Sequence, residues 1–220
     1  MKFTKDEIRS SMLLYAVTDR MWLKEGESLV DVAEKVLQNG ATFLQIREKD
    51  LDEESFEEES EKLKALCNGY HVPFVVNDSV EVALQCGADG VHVGQSDIKG
   101  RDIRAMIGPD KILGISAGTV EQAIAAEKAG ADYIGVGAVF PTSTKKDAKP
   151  METELLRRIS NSVSIPVVAI GGINAGNMLK LSGSGVDGVA VVSAIFGAED
   201  PGRATAELRE LSAQMVAAHE

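Results

Sequence analysis

Residues 130–139 read GADYIGVGAV. A glycine, a small residue and an acid lead into a short apolar run without alternation. The glycine suits the left-handed position just past a helix end. An unbroken apolar strand suits a parallel sheet whose two faces are both buried. The unit recurs as Gly40-Ala-Thr-Phe, Gly87-Ala-Asp-Gly and Gly185-Val-Asp-Gly, so the chain repeats in blocks of two strand–helix units.

Working outward from these turns, eight strands are expected at 13–19, 42–48, 73–78, 90–94, 111–116, 133–139, 166–170 and 188–192. Helical patterns lie between them. Leu29, Val32, Ala33, Val36 and Leu37 recur at helical spacing with Gly40 as the stop. An acid-rich helix spans 50–68, and further helices are expected at 79–86, 99–107, 152–159, 174–181 and 203–217. Thr119 and Gln122 form a Thr-x-x-Gln capping box that opens one more, ending before Gly130. Eight such pairs in 220 residues predict an α/β fold, a (β/α)8 TIM barrel: a single domain over 1–220 with a short N-terminal helical extension over 1–12. The rival is an open doubly wound sheet. Its nucleotide-binding marker, Gly-x-Gly-x-x-Gly after the first strand, is absent. In the barrel, the repeat turns and Asp89, Asp132 and Asp187 belong to the bottom, away from the chemistry.

An apolar fraction of 44% is enough for a large core, and a formal net charge of −11 with a pI near 4.8 argues against nucleic-acid or anionic-membrane partners. Cys67 and Cys86 have no metal-ligand spacing. No signal-peptide pattern opens the chain, and no run approaches the roughly 18 apolar residues of a membrane span. A soluble, cytoplasmic protein is expected.

Barrel chemistry lies at the C-terminal strand ends. In order, these ends carry Asp19; Gln45, Arg47 and Lys49; Asn77 and Asp78; Gln95 and Asp97; Ser116; the hydroxyls and lysines after Pro141; Gly171 and Gly172; and Ser193. Polar groups at nearly every end describe a lined cavity. Gln45, Arg47 and Lys49 alternate, so they share one face. Two cations facing the mouth would be relieved by an anion; alternatively they pair with Asp19, Glu48 or Asp50. Asp78 and Asp97 each follow a strand and precede a helix. They read either as helix N-caps or, together, as carboxylates for Mg2+, which uses one or two carboxylates plus phosphate and water. The stretch 136–150, VGAVFPTSTKKDAKP, reverses the sign of the chain locally, with Lys145, Lys146 and Lys149 beside hydroxyls. These groups together describe a diphosphate site. Gly171-Gly172 beside Ser193 suggests a second anion site, or only a turn. His92 lies inside a strand and reads as a satisfied structural histidine; His71 and His219 read as surface residues.

Several motifs taken together resemble the thiamine-phosphate synthase family: LLYAVTDR from Leu13, QIREKD from Gln45, VVNDSVEVAL from Val75 and GADGVHVGQSD from Gly87. GISAGT from Gly114, VGAVFPTSTKKD from Val136, VAIGGI from Val168 and VAVVSAIF from Val189 complete the set. The resemblance implies a TIM barrel that joins a hydroxymethylpyrimidine diphosphate to a thiazole phosphate, releasing diphosphate. Its partners are then two small phosphorylated heterocycles. It implies that Gln45, Arg47, Lys49, Asn77, Ser116 and Lys145 bind the pyrimidine diphosphate, with Arg47, Lys49, Ser116 and Lys145 catalytic. Asp78 and Asp97 would hold Mg2+, and Thr142, Thr144, Gly172, Val192 and Ser193 would bind the thiazole phosphate. Two places depart from the family pattern: Gly118, where a larger residue, frequently histidine, is common, and the loose turn at 182–186.

The implied mechanism is a dissociative displacement at the pyrimidine methylene carbon. The cations stabilise the departing diphosphate, and the thiazole nitrogen then attacks. No enzyme nucleophile is needed, and Ser116 is a hydrogen-bonding partner near the pyrimidine amine. Three rivals remain. A thiazole tautomerase on the same barrel needs neither metal acids nor a diphosphate cluster. A sugar-phosphate isomerase shares only the Gly-Gly turn, and a non-catalytic phosphate-binding barrel has no use for the metal acids.

Overall fold

Along each strand the side chains alternate between two separate apolar cores. Outward residues such as Leu14, Leu44, Phe74, Val91, Ile115 and Ile134 pack under the helices. Inward residues Tyr15, Val17, Phe43, Val75, Ile112, Tyr133, Val168 and Ala190 fill the barrel. Both phases of the period-two pattern are therefore apolar, and this is why the strands read as continuous apolar runs.

The computed structural model describes residues 3–142 and 151–218. The strands are β1 Leu14–Val17, β2 Phe43–Ile46, β3 Phe74–Asn77, β4 Gly90–Val93, β5 Ile112–Ala117, β6 Tyr133–Gly137, β7 Val167–Ile170 and β8 Gly188–Val191. They pair in parallel, in chain order, and β8 returns to β1 to close the barrel. The helices are α1 Lys5–Ser11, α2 Leu29–Gln38, α3 Glu53–Tyr70, α4 Val80–Gln85, α5 Ile103–Ile107, α6 Val120–Lys128, α7 Thr153–Ser160, α8 Ser193–Phe196 and α9 Pro201–Ala217. Helix α1 carries the capping box Thr4–Glu7 and, with Phe3, sends Ile8 and Met12 into the inner core, so it plugs the barrel floor. Among the described residues, no helix is long and apolar enough to cross a membrane.

The repeat turns perform one task four times. Thr42 Oγ1 accepts from the Leu14 amide at 2.8 Å, and Asp89 Oδ2 from the Phe74 amide at 2.9 Å. Asp132 Oδ2 accepts from the Leu113 amide and Asp187 Oδ2 from the Val167 amide, both at 2.8 Å. Each even strand thus begins by tying down the start of the strand before it. Each acid also meets one cation from a helix: Lys64 on Asp89, Arg104 on Asp132 and Arg9 on Asp187. These aspartates belong to the stability face.

Three local expectations are corrected. The helix expected at 174–181 shrinks to a 3-10 turn over Met178–Leu181. Asn174 Oδ1 accepts from the Gly176 amide, while Asn177 accepts from the Asn174 amide and donates to the Gly172 carbonyl. Such bonds compete with helical ones. The helix expected at 99–107 begins only at Ile103, because Asp102 caps it by accepting from the Ala105 amide at 3.0 Å. Thr119 caps α6 as expected, but Gln122 Oε1 turns back to the Gly118 amide at 2.7 Å, so the reciprocal half of the box is displaced by one residue. Helix α8 and a 3-10 turn at Arg20–Trp22 were not anticipated.

Candidate active site

The top of the barrel holds a cavity of about 580 Å³. From β2 it is lined by Gln45, Arg47 and Lys49, which do share one face. Gln45 is buried and donates to the Tyr15 hydroxyl at 2.5 Å. Arg47 Nη1 stands 3.7 Å from Asp19 Oδ2, so the alternative of pairing within the chain holds for this arginine in a long contact. Asp19 caps the Arg20–Trp22 turn and does not line the cavity, contrary to the reading of its strand end.

Asn77 and Asp78 extend β3 into the same cavity, and Gln95 and Asp97 follow β4. Neither aspartate is a helix cap: Ser79 caps α4 and Asp102 caps α5. Asp78 sits at φ +64°, a left-handed backbone that costs a residue with a Cβ roughly 1–2 kcal/mol. Its amide donates to the His92 carbonyl at 2.8 Å. This bend brings its carboxyl within hydrogen-bonding reach of Asp97. Burial, then the charge of Asp97, push the Asp78 carboxyl above its usual range, while Arg47 pulls it down. Asp97 Oδ2 accepts from the Gly94 amide at 2.8 Å. A Cβ at Gly94 would stand 2.9 Å from that oxygen, so this approach requires glycine.

Two carboxylates forced together invite a cation or a shared proton. The donors are oxygens only, which suits a hard divalent ion. Among the described residues no group of three or more His, Cys, Asp or Glu side chains could form a closed metal cage. Mg2+ held by one or two carboxylates would take its remaining ligands from phosphate and water.

The opposite wall comprises Ser116 on β5, Thr142 after β6, Gly171 and Gly172 after β7, and Val192 and Ser193 after β8. Gly172 has φ +69°, and a Cβ there would meet the Pro141 carbonyl at 2.3 Å. Close packing of the segment after β6 thus demands this glycine whether or not an anion binds. Gly118 also lines the cavity, and a Cβ there would make only an ordinary 3.5 Å contact with Gln122. Thr144 and Lys145 lie outside the described residues.

The cavity floor holds groups that the strand-end reading missed. His92 lines it, with Nδ1 2.9 Å from the Tyr133 hydroxyl and Nε2 3.0 Å from Ser116 Oγ. Both ring nitrogens are satisfied, as expected of a structural histidine, yet one of them serves a cavity residue. Burial lowers its pKa to about 4, with Asp97 opposing. Tyr15 also lines the floor. The signal was present in the sequence: His92 stands between Gly90 and Gly94 on the inward phase of a strand whose outward residues are Val91 and Val93.

A family model for thiamine monophosphate synthase matches residues 14–195. The chain is 47% identical over 195 residues to a thiamine-phosphate synthase of Clostridium tetani, covering 89% of this chain and 93% of that one. It is 48% identical over 198 residues to the thiamine-phosphate synthase of Ruminiclostridium cellulolyticum, covering 90% and 94%. The solved thiamine phosphate pyrophosphorylase of Pyrococcus furiosus superposes with a TM-score of 0.86 at 42% identity, covering 94% of this chain and 98% of that one. The motifs and the match from β1 into α8 agree: the chain belongs to the thiamine monophosphate synthase family.

Proposed function

We propose that the cavity binds a hydroxymethylpyrimidine diphosphate against β2–β5 and a thiazole phosphate against β6–β8, and that the chain condenses them to thiamine phosphate and diphosphate. As a member of its family the chain is an enzyme, a transferase of thiamine biosynthesis. The observation that carries the reading is the Asp78–Asp97 pair facing Arg47 across one cavity, two acids with no capping duty beside a cation. A barrel that binds only the thiazole phosphate needs neither the acid pair nor a second cationic wall.

In this reading Arg47 and Lys49 hold the diphosphate oxygens, and Asn77 and Gln45 border the pyrimidine. Lys145 joins the cations by resemblance alone. Asp78 and Asp97 hold Mg2+, which supplies charge neutralisation for a departing diphosphate. Thr142, Thr144, Gly172, Val192 and Ser193 receive the thiazole phosphate. The pyrimidine methylene–oxygen bond breaks first, with its electrons leaving on the diphosphate. Arg47 and Lys49 meet charge that grows as that bond lengthens, so they bind the transition state more tightly than the substrate. The ring amine shares the positive charge until the thiazole nitrogen supplies the new bond. No side chain needs to act as nucleophile.

The test is an assay with both substrates, with and without Mg2+. Diphosphate release that requires both substrates and the ion is expected. Thiazole isomerisation without Mg2+ and without coupling would overturn the reading in favour of a tautomerase.

A further inference from the structure

Five polar side chains from five strands form one line beneath the cavity. Gln45 Nε2 donates to the Tyr15 hydroxyl at 2.5 Å, and the Tyr15 and Tyr133 hydroxyls stand 2.7 Å apart. Tyr133 stands 2.9 Å from His92 Nδ1, and His92 Nε2 stands 3.0 Å from Ser116 Oγ. The line begins at Gln45 and ends at Ser116, both on the cavity lining; Tyr15 and Tyr133 within it are buried and His92 is half-buried.

The strands are cut to make room for it. Gly114 pairs with His92 on one side and with Tyr133 on the other. A Cβ at Gly114 would meet the Tyr133 hydroxyl at 2.3 Å and His92 Nδ1 at 2.5 Å. A Cβ at Gly135 would stand 3.1 Å from the His92 ring. Tyr15, Phe43 and Tyr133 pack ring against ring, with centroids 4.4 to 5.8 Å apart, which fixes the phenol directions.

Proton counting gives one direction in which every proton of the line has an acceptor within it. An amide nitrogen only donates. Tyr15 therefore accepts from Gln45, and its own proton has Tyr133 as its acceptor. Tyr133 then donates to His92 Nδ1, which leaves the ring proton on Nε2, and Nε2–H donates to Ser116 Oγ. In the reverse direction the Tyr15 oxygen would accept from both Gln45 and Tyr133, and its own proton would have no acceptor within the line.

We propose that Gln45, Tyr15, Tyr133 and His92 are positioning residues that fix the His92 Nε2–H tautomer and so turn the Ser116 proton into the cavity. Ser116 is thereby a committed donor, and the substrate atom it meets is an acceptor of the heteroaromatic ring, a ring nitrogen and not an amine hydrogen. The Ser116–His92 distance is that of a serine nucleophile and its base, but the polarity is opposite. His92 cannot take the serine proton because the nitrogen facing it already carries one. The sequence expectation of Ser116 beside the pyrimidine amine is refined accordingly. This inference rests on the proposed pyrimidine-binding role of the β5 wall.

The experiment uses the full chain with 15N-labelled histidine, whose three rings are resolvable by two-bond 1H–15N correlation at pH 7. Wild-type His92 is expected as the Nε2–H tautomer. Gln45→Glu replaces the leading donor by a carboxylate that only accepts, so the line should reverse and move the proton to Nδ1. Tyr133→Phe should leave a mixture of tautomers and lower kcat about tenfold to a hundredfold, by analogy with the loss of groups that orient metal ligands, with KM for both substrates unchanged. A wild-type Nδ1–H tautomer, or a tautomer indifferent to Gln45→Glu, overturns the inference even if the enzyme condenses its substrates. Failure of condensation with the expected tautomer intact would instead strike the proposed function.

Discussion

The barrel places aspartates at both of its ends, and the two sets live in opposite electrostatic circumstances. At the bottom, Asp89, Asp132 and Asp187 each accept from a strand amide and face one cation. At the top, Asp78 and Asp97 face each other, and Asp78 adopts a left-handed backbone to get there. The bottom set stabilises the fold; the top set is held in place by it. Strain and like charge at a strand end mark a site kept for a ligand.

Asp78→Ala should break this contrast most sharply. The expected loss in kcat/KM is about a thousandfold, or ~4 kcal/mol on the barrier. The unfolding temperature should hold or rise, since burial and Asp97 already disfavour the carboxylate. A large fall in thermal stability with turnover intact would make Asp78 a structural acid like those at the bottom. Asp132→Ala is the mirror experiment. It strips Arg104 of its carboxylate, leaving only backbone carbonyl acceptors, and the Leu113 amide of its side-chain acceptor. Unfolding free energy should drop by about 3 kcal/mol, near the cost of breaking a largely buried pair. Turnover per folded molecule should persist at 25 °C, measured beside a denaturant titration. Loss of turnover in fully folded protein would erase the division between the two ends.

These two ends were not equally legible in the sequence. The glycine turns repeat locally, so the two-unit repeat and the placement of the bottom acids could be read from spacing, while closure over the open doubly wound rival rested on the count of eight units and the missing Gly-x-Gly-x-x-Gly. Gln45, Arg47, Asn77, Asp78, Asp97 and Ser116 were readable because each stands at a strand end, and strand ends converge in a barrel. The floor was not readable in that way. Tyr15, His92 and Tyr133 lie far apart in the chain, and their meeting depends on inward phase and on the room left by Gly114. The shortened 174–181 segment escaped for another reason. Its two asparagines bind nearby backbone, a choice that apolar periodicity does not register.

Between the two ends lies His92, and acid should expose it. Its folded pKa of about 4 lies below the ordinary 6.5. Above pH 6.5 neither folded nor unfolded chain holds the proton, and the residue is silent. Between 6.5 and 4 the unfolded chain binds a proton that the folded chain refuses, so stability falls as pH falls; below about 4 the loss is complete. Asp78 and Glu48 act in the opposite sense, since burial raises both carboxyls. The measurement is therefore the difference between wild type and His92→Gln in unfolding free energy across that window. A change of about 3 kcal/mol is expected, and a flat difference would mean that His92 titrates normally.

The smallest effect belongs to a third kind of aspartate. Asp102 sits in the loop after β4, on the same side of the barrel as Asp78, yet its carboxyl accepts from the Ala105 amide and opens α5. It is what Asp78 and Asp97 would be if they were caps. Asp102→Ala should cost about 1 kcal/mol, the usual worth of a helix cap, and Asp102→Asn should recover most of it because an amide oxygen can also accept. Neither change should alter kcat, whereas Asp78→Asn should be as damaging to turnover as Asp78→Ala, because that site requires charge. If Asp102→Asn loses activity, or Asp78→Asn keeps it, end-of-strand position would count for more than the company each carboxyl keeps.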